Sequence, residues 1–341
     1  MFKILCSFSS ILLFCSAAVP ALSQEYKTTG ALSIGGTGGW DYLAADSQNR
    51  RLYVSHGGEV VVIDLDSEKV VGHITGLEGI HGIAVADDLG AGFISDGRAN
   101  EVVMFDLKSL AVKQKIKAGT NPDGIVYDPA SRRVFAFNGR SQDATVIDAA
   151  EGAVAGTIKL GGKPEFPVSD GRGSVYDNIE DKSEIVRIDS KSLAITARWS
   201  ISPCESPSGL AIDASNRRLF SVCDNKLMAI LDADSGKVIA TPVIGEGPDA
   251  AAYDPANHLA FSSNGESGTL TVVRETSPDQ YAVAETVQTA ERARTMALDE
   301  KTHKIYLSTA KFGPAPAATA SMPRPRPPVL PGTFKLVVVS P

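Results

Sequence analysis

The sequence predicts an all-β fold, a seven-bladed β-propeller made of four-stranded antiparallel blades. Its clearest unit spans residues 121–160, where four short runs rich in Val, Ile and aromatic residues are separated by Asp-Pro, Asn-Gly and other turn residues. Runs of this composition, bounded by Gly, Pro, Asn or Asp, are typical of strands joined by tight turns. The unit returns about every forty to forty-six residues, which is the length of one propeller blade.

The first 23 residues predict a secretory signal peptide, which leaves residues 24–341 for the propeller. Lys3 precedes a mostly apolar run that ends at Val19, and small residues follow as far as Ser23. A charged start, a short apolar run and small residues at the cleavage point are typical of such peptides. The run is short for a membrane span, and the remaining chain contains no comparable segment. We therefore expect an exported protein, periplasmic or secreted, with no membrane span in the mature chain.

Composition excludes one class of partner. The chain carries a net charge of −7 and 43% hydrophobic residues, enough for a large core. Phosphate binding needs clustered Lys and Arg, and the sequence has no such run, so we expect no nucleic-acid partner.

The repeat can be followed strand by strand. The seven first strands begin at Asp41, His81, Asp123, Glu165, Ser208, Asp249 and Arg294, and each is followed in register by a second and a third strand. Only six fourth strands follow in the chain, because the seventh copy reaches Pro341 after its third strand. The segment from Lys27, KTTGALSIGG, has the fourth-strand pattern but no strands before it. We expect this N-terminal strand to join the last blade and close the ring, which also hides sheet edges.

The second strands LYVS, VFAF and IYLS, followed by third strands such as VVVID and ATVID, resemble the repeat of the YVTN family of YncE-like exported propellers. The resemblance covers nearly all of the mature chain and implies a seven-bladed propeller. It implies little about chemistry, because fold does not determine function.

In a propeller, the loops that enter the first strands and those between second and third strands lie on one face, around the central channel. Residues at one repeat position therefore form a ring. The ring that opens the first strands, called here the first-strand ring, is predicted to contain Asp41, His81, Asp123, Glu165, Ser208, Asp249 and Arg294. The ring that ends the second strands is predicted to contain His56, Asp96, Asn138, Asn178, Asp224, Asn264 and Thr309. Both rings are predicted to bind a ligand at the channel face.

The residue types in these rings leave several ligands open. Carboxylate and amide oxygens suit Ca²⁺, which takes six to eight oxygen ligands. Histidine would favour a transition metal instead. The predicted metal ligands are Asp123, Glu165, Asp249 and His81. The alternatives are a cationic or polyhydroxy ligand, or polar residues that only line a hydrated channel mouth.

Two cysteines, Cys204 and Cys223, remain after removal of the signal peptide, and both map to the channel face of the fifth repeat. An exported protein meets an oxidising compartment, so we expect a disulfide between them, with two free thiols as the alternative.

Residues 311–332 interrupt the seventh repeat between its second and third strands. Their seven prolines favour an extended, polyproline-type segment over the channel face. A lid that pairs Arg324 and Arg326 with the acidic ring is one interpretation, and a solvated loop or a docking segment for another protein is the other.

Arginine pairs precede three second strands, at positions 50–51, 132–133 and 217–218. We expect them on the face opposite the channel mouth, paired with Asp46, Asp128 and Asp213 of the adjoining turns.

The predicted function is a binding or scaffold protein, a monomer that takes a small-molecule or protein ligand at the channel face. The alternative is a metal-dependent, lactonase-like hydrolase with a carboxylate base at the same place. A third hypothesis is a partner platform that uses the Pro-rich segment. The sequence has no GxSxG, HExxH, CxxCH or P-loop motif to favour other chemistry.

Overall fold

A computed structural model describes residues 25–317 and 327–341 and contains seven four-stranded antiparallel sheets. The predicted signal peptide, residues 1–23, lies outside the described residues, as do Arg324 and Arg326. The seven-bladed all-β propeller predicted from the repeat is confirmed. Within each of six sheets the strands follow one another in chain order, as expected for a meander.

The chain begins with β1 (Lys27–Ser33), and the first four blades follow it. They consist of β2–β5 (Trp40–Asp46, Arg51–His56, Glu59–Asp64, Lys69–Ile74), β6–β9 (Ile80–Ala86, Ala91–Asp96, Glu101–Asp106, Val112–Lys117), β10–β13 (Pro122–Asp128, Arg133–Asn138, Asp143–Asp148, Ala153–Lys159) and β14–β17 (Pro164–Ser169, Ser174–Ile179, Glu184–Asp189, Ile195–Ser200).

The last three blades complete the ring. They consist of β18–β21 (Pro207–Asp213, Arg218–Cys223, Leu227–Asp232, Val238–Ala240), β22–β25 (Pro248–Asp254, Leu259–Asn264, Thr269–Ser277, Gln280–Gln288) and β26–β28 (Arg294–Asp299, Lys304–Thr309, Lys335–Ser340). Two 3₁₀ turns, Asp87–Leu89 and Glu180–Lys182, connect strands. In the described residues no helix has the length and apolar character needed to cross a membrane.

The seventh sheet has the order β1-β28-β27-β26, so its outer strand comes from the opposite end of the chain. Strand β1 runs antiparallel to β28, with Lys27 opposite Ser340 and Ser33 opposite Lys335. Tyr26, which precedes β1, is buried, and its backbone N–H donates to the Glu285 carboxylate of the sixth blade. The first residues of the propeller therefore contact the last two blades.

The core is divided among the seven joints between neighbouring blades. Each blade has an apolar residue on both faces of its second and third strands, because side chains alternate along a strand. Seven apolar clusters result, and each one joins residues of two adjacent blades, including the cluster that joins the seventh blade to the first. A single blade could not bury both faces, which is the physical reason that the repeat closes into a ring.

Polar contacts on the face opposite the channel mouth also join adjacent blades. The predicted pairing of the arginine pairs with the Asp residues of their own turns is wrong. Arg50 instead donates to both carboxylate oxygens of Asp299, at 2.7 and 2.8 Å, across the joint between the first and seventh blades. Arg217 reaches Asp170 of the preceding blade at 2.8 Å, and His303 reaches Asp254 of the preceding blade at 2.7 Å.

The reason is local geometry. Arg50, Arg132 and Arg217 precede the second strands and have left-handed backbone conformations, with φ of 57°, 55° and 57°. Asp46 and Asp213 meanwhile accept hydrogen bonds from backbone N–H groups of their own turns. These carboxylates therefore cap turns, and the first arginine of each pair contacts the preceding blade. Arg51 and Arg218 instead pair with Asp64 and Asp232 on the third strands of their own blades.

Candidate functional site

The seven residues of the first-strand ring occupy equivalent places, five residues before the end of each first strand in six blades and four before it in β14. All seven side chains are partly buried. They lie at the entry to the innermost strands, so they surround the opening of the central channel, called here the channel mouth.

Asp41, His81 and Asp123 form one cluster on consecutive blades. The His81 Nδ1 lies 2.6 Å from an Asp41 carboxylate oxygen and 3.6 Å from one of Asp123. One ligand atom from each residue can be chosen so that all three lie within 4.8 Å of one another. Of the four predicted metal ligands, this group contains His81 and Asp123, and Asp41 is the third member.

The other two predicted metal ligands are held by cations of their own. The Glu165 carboxylate lies 3.2 Å from the Lys163 ammonium, which also contacts Glu180. The Asp249 carboxylate accepts from the Arg294 guanidinium at 3.1 and 3.2 Å.

Ser208, the uncharged member of the ring, donates to the Pro248 carbonyl at 3.0 Å.

Burial and neighbouring charges shift the pKa values of several ring residues. Burial raises the pKa of the Asp123 carboxyl to about 6, with Asp41 adding to the shift and His81 opposing it. Burial, and then the charge of Asp123, raise the pKa of Glu165 to about 8. Burial would lower the pKa of His81, but its hydrogen bond to Asp41 and the charge of Asp123 raise it above its ordinary value. Burial also raises the pKa of Asp249, against the opposing charge of Arg294. Burial therefore makes Asp123, Glu165 and Asp249 hold a proton to higher pH than free carboxyl groups do.

The channel is filled immediately beneath the ring. Tyr42 follows Asp41 and reaches across the axis, where its hydroxyl donates to the Glu165 carbonyl at 2.9 Å. Its ring packs against Phe166, with ring centroids 5.0 Å apart. The equivalent residues of three other blades, Gly82, Gly124 and Gly209, have no room for a Cβ atom, which would lie under 3.0 Å from a neighbouring strand. The mouth is thus a pit with an aromatic floor.

Two cavities open among residues of the ring and its loops. The larger, called here the mouth cavity, has a volume of about 910 Å³ and contains Glu165, Ser208, Asp249 and Arg294 of the ring. The second, of about 650 Å³, contains Asp41 and His81 together with Arg98 and Arg140 of the rim. Trp40 borders both cavities.

Solved structures show which proteins the chain is similar to. A chain of hydrazine synthase from Kuenenia stuttgartiensis superposes with a TM-score of 0.68 at 14% identity, covering 84% of this chain and 95% of that chain. A chain of a mitotic checkpoint complex gives 0.75 at 11% identity, covering 98% and 99%. The protein U3-55K gives 0.74 at 8% identity, covering 90% and 97%. At these identities the likeness shows the propeller fold alone. The sequence matches no family model and no curated protein.

Most of the second predicted ring lies beneath the mouth, where its side chains support the loops. The Asp96 carboxylate accepts from the backbone N–H groups of Glu78 and Gly79 at 2.9 and 2.8 Å. The amides of Asn138 and Asn264 donate to side chains of the following third strands. These residues are buried because each sits opposite the start of its own first strand, as Asn138 sits opposite Pro122.

The remaining members of that ring differ from one another. His56 stacks on Phe334 with ring centroids 4.1 Å apart, and it borders the smaller cavity. Thr309 donates to the Glu291 carbonyl at 2.8 Å. Asp224 is exposed and borders the mouth cavity.

Asn178 and Asp224 each lie one residue from the position equivalent to Asn138, which Cys223 occupies in the fifth blade. Pro164 pairs with Ile179, so Ile179 is the blade-four equivalent of Asn138. Asn178 instead donates to the Ser208 and Gly209 carbonyls of the next blade, at 2.8 and 3.2 Å.

The sequence reasoning did not single out Asp177. It is fully buried on β15, and neither carboxylate oxygen has a hydrogen-bond partner in the described part of the chain. Burial holds its pKa well above the ordinary value, and the charges of Glu165 and Asp123 add to that shift. The repeat pattern could have identified Asp177, because the equivalent residues of the other six blades are apolar or Ser. They are Val54, Ile94, Ala136, Ser221, Ser262 and Leu307.

The described ends of the Pro-rich segment lie at the channel mouth. Phe312 and Val329 form an antiparallel bridge, and Gly313 N–H donates to the Pro328 carbonyl at 2.9 Å. The Arg324 and Arg326 contacts predicted for a lid lie outside the described residues, so that interpretation stays a prediction.

Cys204 and Cys223 are joined by a disulfide in the fifth blade.

Proposed function

We propose that this protein is an exported binding propeller whose ligand places a positively charged group in the channel mouth. The observation that carries the proposal is the placement of four ring carboxylates around the channel mouth. Asp41, Asp123, Glu165 and Asp249 come from four different blades. Burial and neighbouring acids raise the pKa values of Asp123 and Glu165. A cation close to these carboxylates would favour their ionised form, and the carboxylates would in turn stabilise the bound cation.

Arg294 does not oppose a cationic ligand. Its guanidinium is held by Asp249 at 3.1 Å, and this pair is close to neutral as a unit. Likewise His81 is shared between Asp41 and Asp123, so one imidazole serves two carboxylates. The Lys163 ammonium beside Glu165 is a third cation, so the four ring carboxylates outnumber the cations that contact them by one when every group is ionised.

Titration calorimetry with a small alkylammonium ion tests this proposal. We expect binding that weakens at least about tenfold in the Asp41→Asn, Asp249→Asn double variant, because two attractive charges are lost. The matched control is Asp279→Asn, which removes an exposed carboxylate from the hairpin of β24 and β25 on the opposite face. An alkylammonium ion that does not bind, or that binds equally to all three proteins, would refute the proposal.

A metal-dependent hydrolase is the second candidate, favoured by the Asp41, His81 and Asp123 cluster. One imidazole and two carboxylates suit a transition ion better than Ca²⁺, which needs six to eight oxygens. His81 would have to lose its proton to ligate the ion, so metal binding should strengthen as pH rises. Incubation with Zn²⁺, Mn²⁺ or Ca²⁺ followed by metal analysis is decisive. If no ion is retained and none raises the melting temperature, this candidate is eliminated.

Export and family membership belong to the same proposal. The disulfide between Cys204 and Cys223 supports an oxidising compartment, as does the predicted signal peptide. The strand pattern supports membership of the YVTN family.

N-terminal sequencing of the protein recovered outside the cytoplasm should begin at Gln24. Size-exclusion chromatography should show a monomer.

A further inference from the structure

We propose that the channel mouth takes an amphiphilic organic cation, a small molecule that joins an ammonium group to an aromatic body. This inference rests on the proposed function, since the ammonium group would use the same acidic ring. It adds the class of ligand, which comes from the composition of the mouth cavity.

The first observation is the charge of the mouth cavity. Its walls carry six carboxylates and two guanidinium groups. The carboxylates are Glu165, Glu180, Asp224, Asp249, Glu266 and Glu291. Arg294 is paired with Asp249 at 3.1 Å, and Arg292 lies over the Phe312 ring at 5.1 Å and 3.9 Å from Glu291. The Lys163 ammonium also contacts Glu165 and Glu180, so the six carboxylates outnumber the cations beside them by three. An anionic ligand would be repelled from such a cavity, and a cation would be attracted.

The second observation is an aromatic wall on the same cavity. Trp40 and Phe312 lie with ring centroids 6.0 Å apart, and Val329 extends the wall beside Phe312. Phe334 supports Trp40 from behind at 5.4 Å. Trp40 and Phe312 are only partly buried by the protein. Aromatic faces attract cations and pack against apolar groups, so this wall suits a ligand body that an inorganic ion lacks.

The third observation is size. A volume of about 910 Å³ lies within the range of small-molecule pockets and far exceeds the space of one metal ion. A purely hydrophilic cation would leave the Trp40 and Phe312 faces in contact with water, whereas an aromatic amine would cover them.

Three probes separate the contribution of the ammonium charge from that of the aromatic ring. They are 2-phenylethylammonium, which has both groups, ethylammonium, which lacks the ring, and 3-phenylpropionate, which reverses the charge. Calorimetry at low ionic strength should give 2-phenylethylammonium an affinity about tenfold higher than that of ethylammonium, as expected when the ligand's phenyl ring packs on one aromatic side chain. We expect no measurable binding of 3-phenylpropionate.

Two variants test which side chains cause the preference for 2-phenylethylammonium over ethylammonium. Trp40→Ala and Phe312→Ala should each reduce the ratio between the two ammonium ions to about threefold or less, with little effect on ethylammonium itself. Phe312 lies at the described end of the Pro-rich segment, so its variant should fold even if loss of Trp40 disturbs the core. Trp199→Ala is the matched control, because Trp199 packs on Tyr176 and Gly236, on an outer strand away from the mouth.

Equal affinity for the two ammonium ions, or a ratio that survives both variants, overturns this inference and leaves the acidic binding site intact. Tight binding of 3-phenylpropionate also overturns it. Failure of both ammonium ions to bind removes the proposed function and this inference together.

Discussion

Asp177 is the residue that departs furthest from its repeat position. It lies on the face of β15 that packs toward the third blade, between Val175 and Ile179, in an otherwise apolar region. The Glu165 backbone N–H approaches it without reaching hydrogen-bond geometry and offsets only part of the burial cost. Polar groups that break a local rule tend to occur near functional sites, and the charges of Glu165 and Asp123 in the ring add to the raised pKa of Asp177.

We expect Asp177→Val to stabilise the protein by about 1–3 kcal/mol, because a buried carboxyl without partners is replaced by an apolar side chain of similar volume. The gain should grow as pH rises above the ordinary carboxyl pKa near 4, since a raised folded-state pKa costs stability as the group is driven to ionise. Thermal and urea unfolding at several pH values would measure it.

Ser262→Val is the matched control for that variant, since Ser262 holds the equivalent place in the sixth blade. Its hydroxyl donates to the buried Asn264 at 2.8 Å, so this variant should destabilise. A lower stability for Asp177→Val would show that its carboxyl has a partner in solution.

A second prediction concerns the effect of the Glu165 carboxyl group on the pH dependence of stability. Its pKa is raised from 4.5 to about 8 in the folded protein, so the folded state holds a proton that the unfolded chain releases near pH 4.5. Stability should therefore fall as pH rises from about 4.5 to about 8. Glu165→Gln removes this contribution, and its melting temperature relative to the parent should increase steadily over that range. Glu151→Gln, in the exposed turn before β13, should show a constant difference, and a constant difference for both variants would contradict the pKa of Glu165.

Repeat position predicted the first-strand ring, because the pattern places one residue per blade at the start of the innermost strand. The same logic misplaced the second ring. It could not tell that Asn138 and Asn264 sit opposite the starts of their own first strands and are buried there. The sequence could have pointed to Tyr42 and Phe166, since the other five blades have Gly, Ala or Thr at this position. Long-range pairs such as His81 with Asp41 depend on side-chain directions that a strand pattern does not encode.

At the scale of elements, β1 differs from the other strands because it joins a blade from the opposite end of the chain. It supplies the outer strand of the seventh sheet, pairing with β28 from Lys27 to Ser33. It is also anchored to the sixth blade, where Tyr26 packs against Phe261 with ring centroids 5.1 Å apart. A strand at this place shields the backbone groups of β28 that would otherwise form an open edge.

Deleting residues 25–33 should therefore destabilise the whole propeller and expose β28 to intermolecular pairing. We expect a lower urea midpoint and concentration-dependent aggregation, measured by fluorescence and light scattering. Glu285→Ala is a milder companion, because it removes only the acceptor of the Tyr26 N–H, and it should lower the midpoint by a smaller amount. A truncated protein as stable and monomeric as the parent would show that β28 needs no neighbour.

At the scale of the whole molecule, stability rests on seven similar joints. Each joint has an apolar cluster, and several add a polar contact from the residue before a second strand to an aspartate of the preceding blade. The joint between the seventh and first blades has the most buried of these contacts. Arg50 has a side chain that is 10% exposed, and Asp299 is fully buried.

Arg50→Ala should cost about 3–5 kcal/mol, because it leaves the Asp299 carboxylate buried without its cation. Its guanidinium holds the pKa of Asp299 at about 2, despite opposing burial, so this contribution is present above pH 4 and is lost as pH falls through 2. The double variant Arg50→Ala, Asp299→Asn should recover part of the loss, as unfolding in urea would show. Because the ring closes at this joint, both variants should still unfold in one transition. Separate unfolding of the seventh blade would mean that the blades are less cooperative than a closed ring requires.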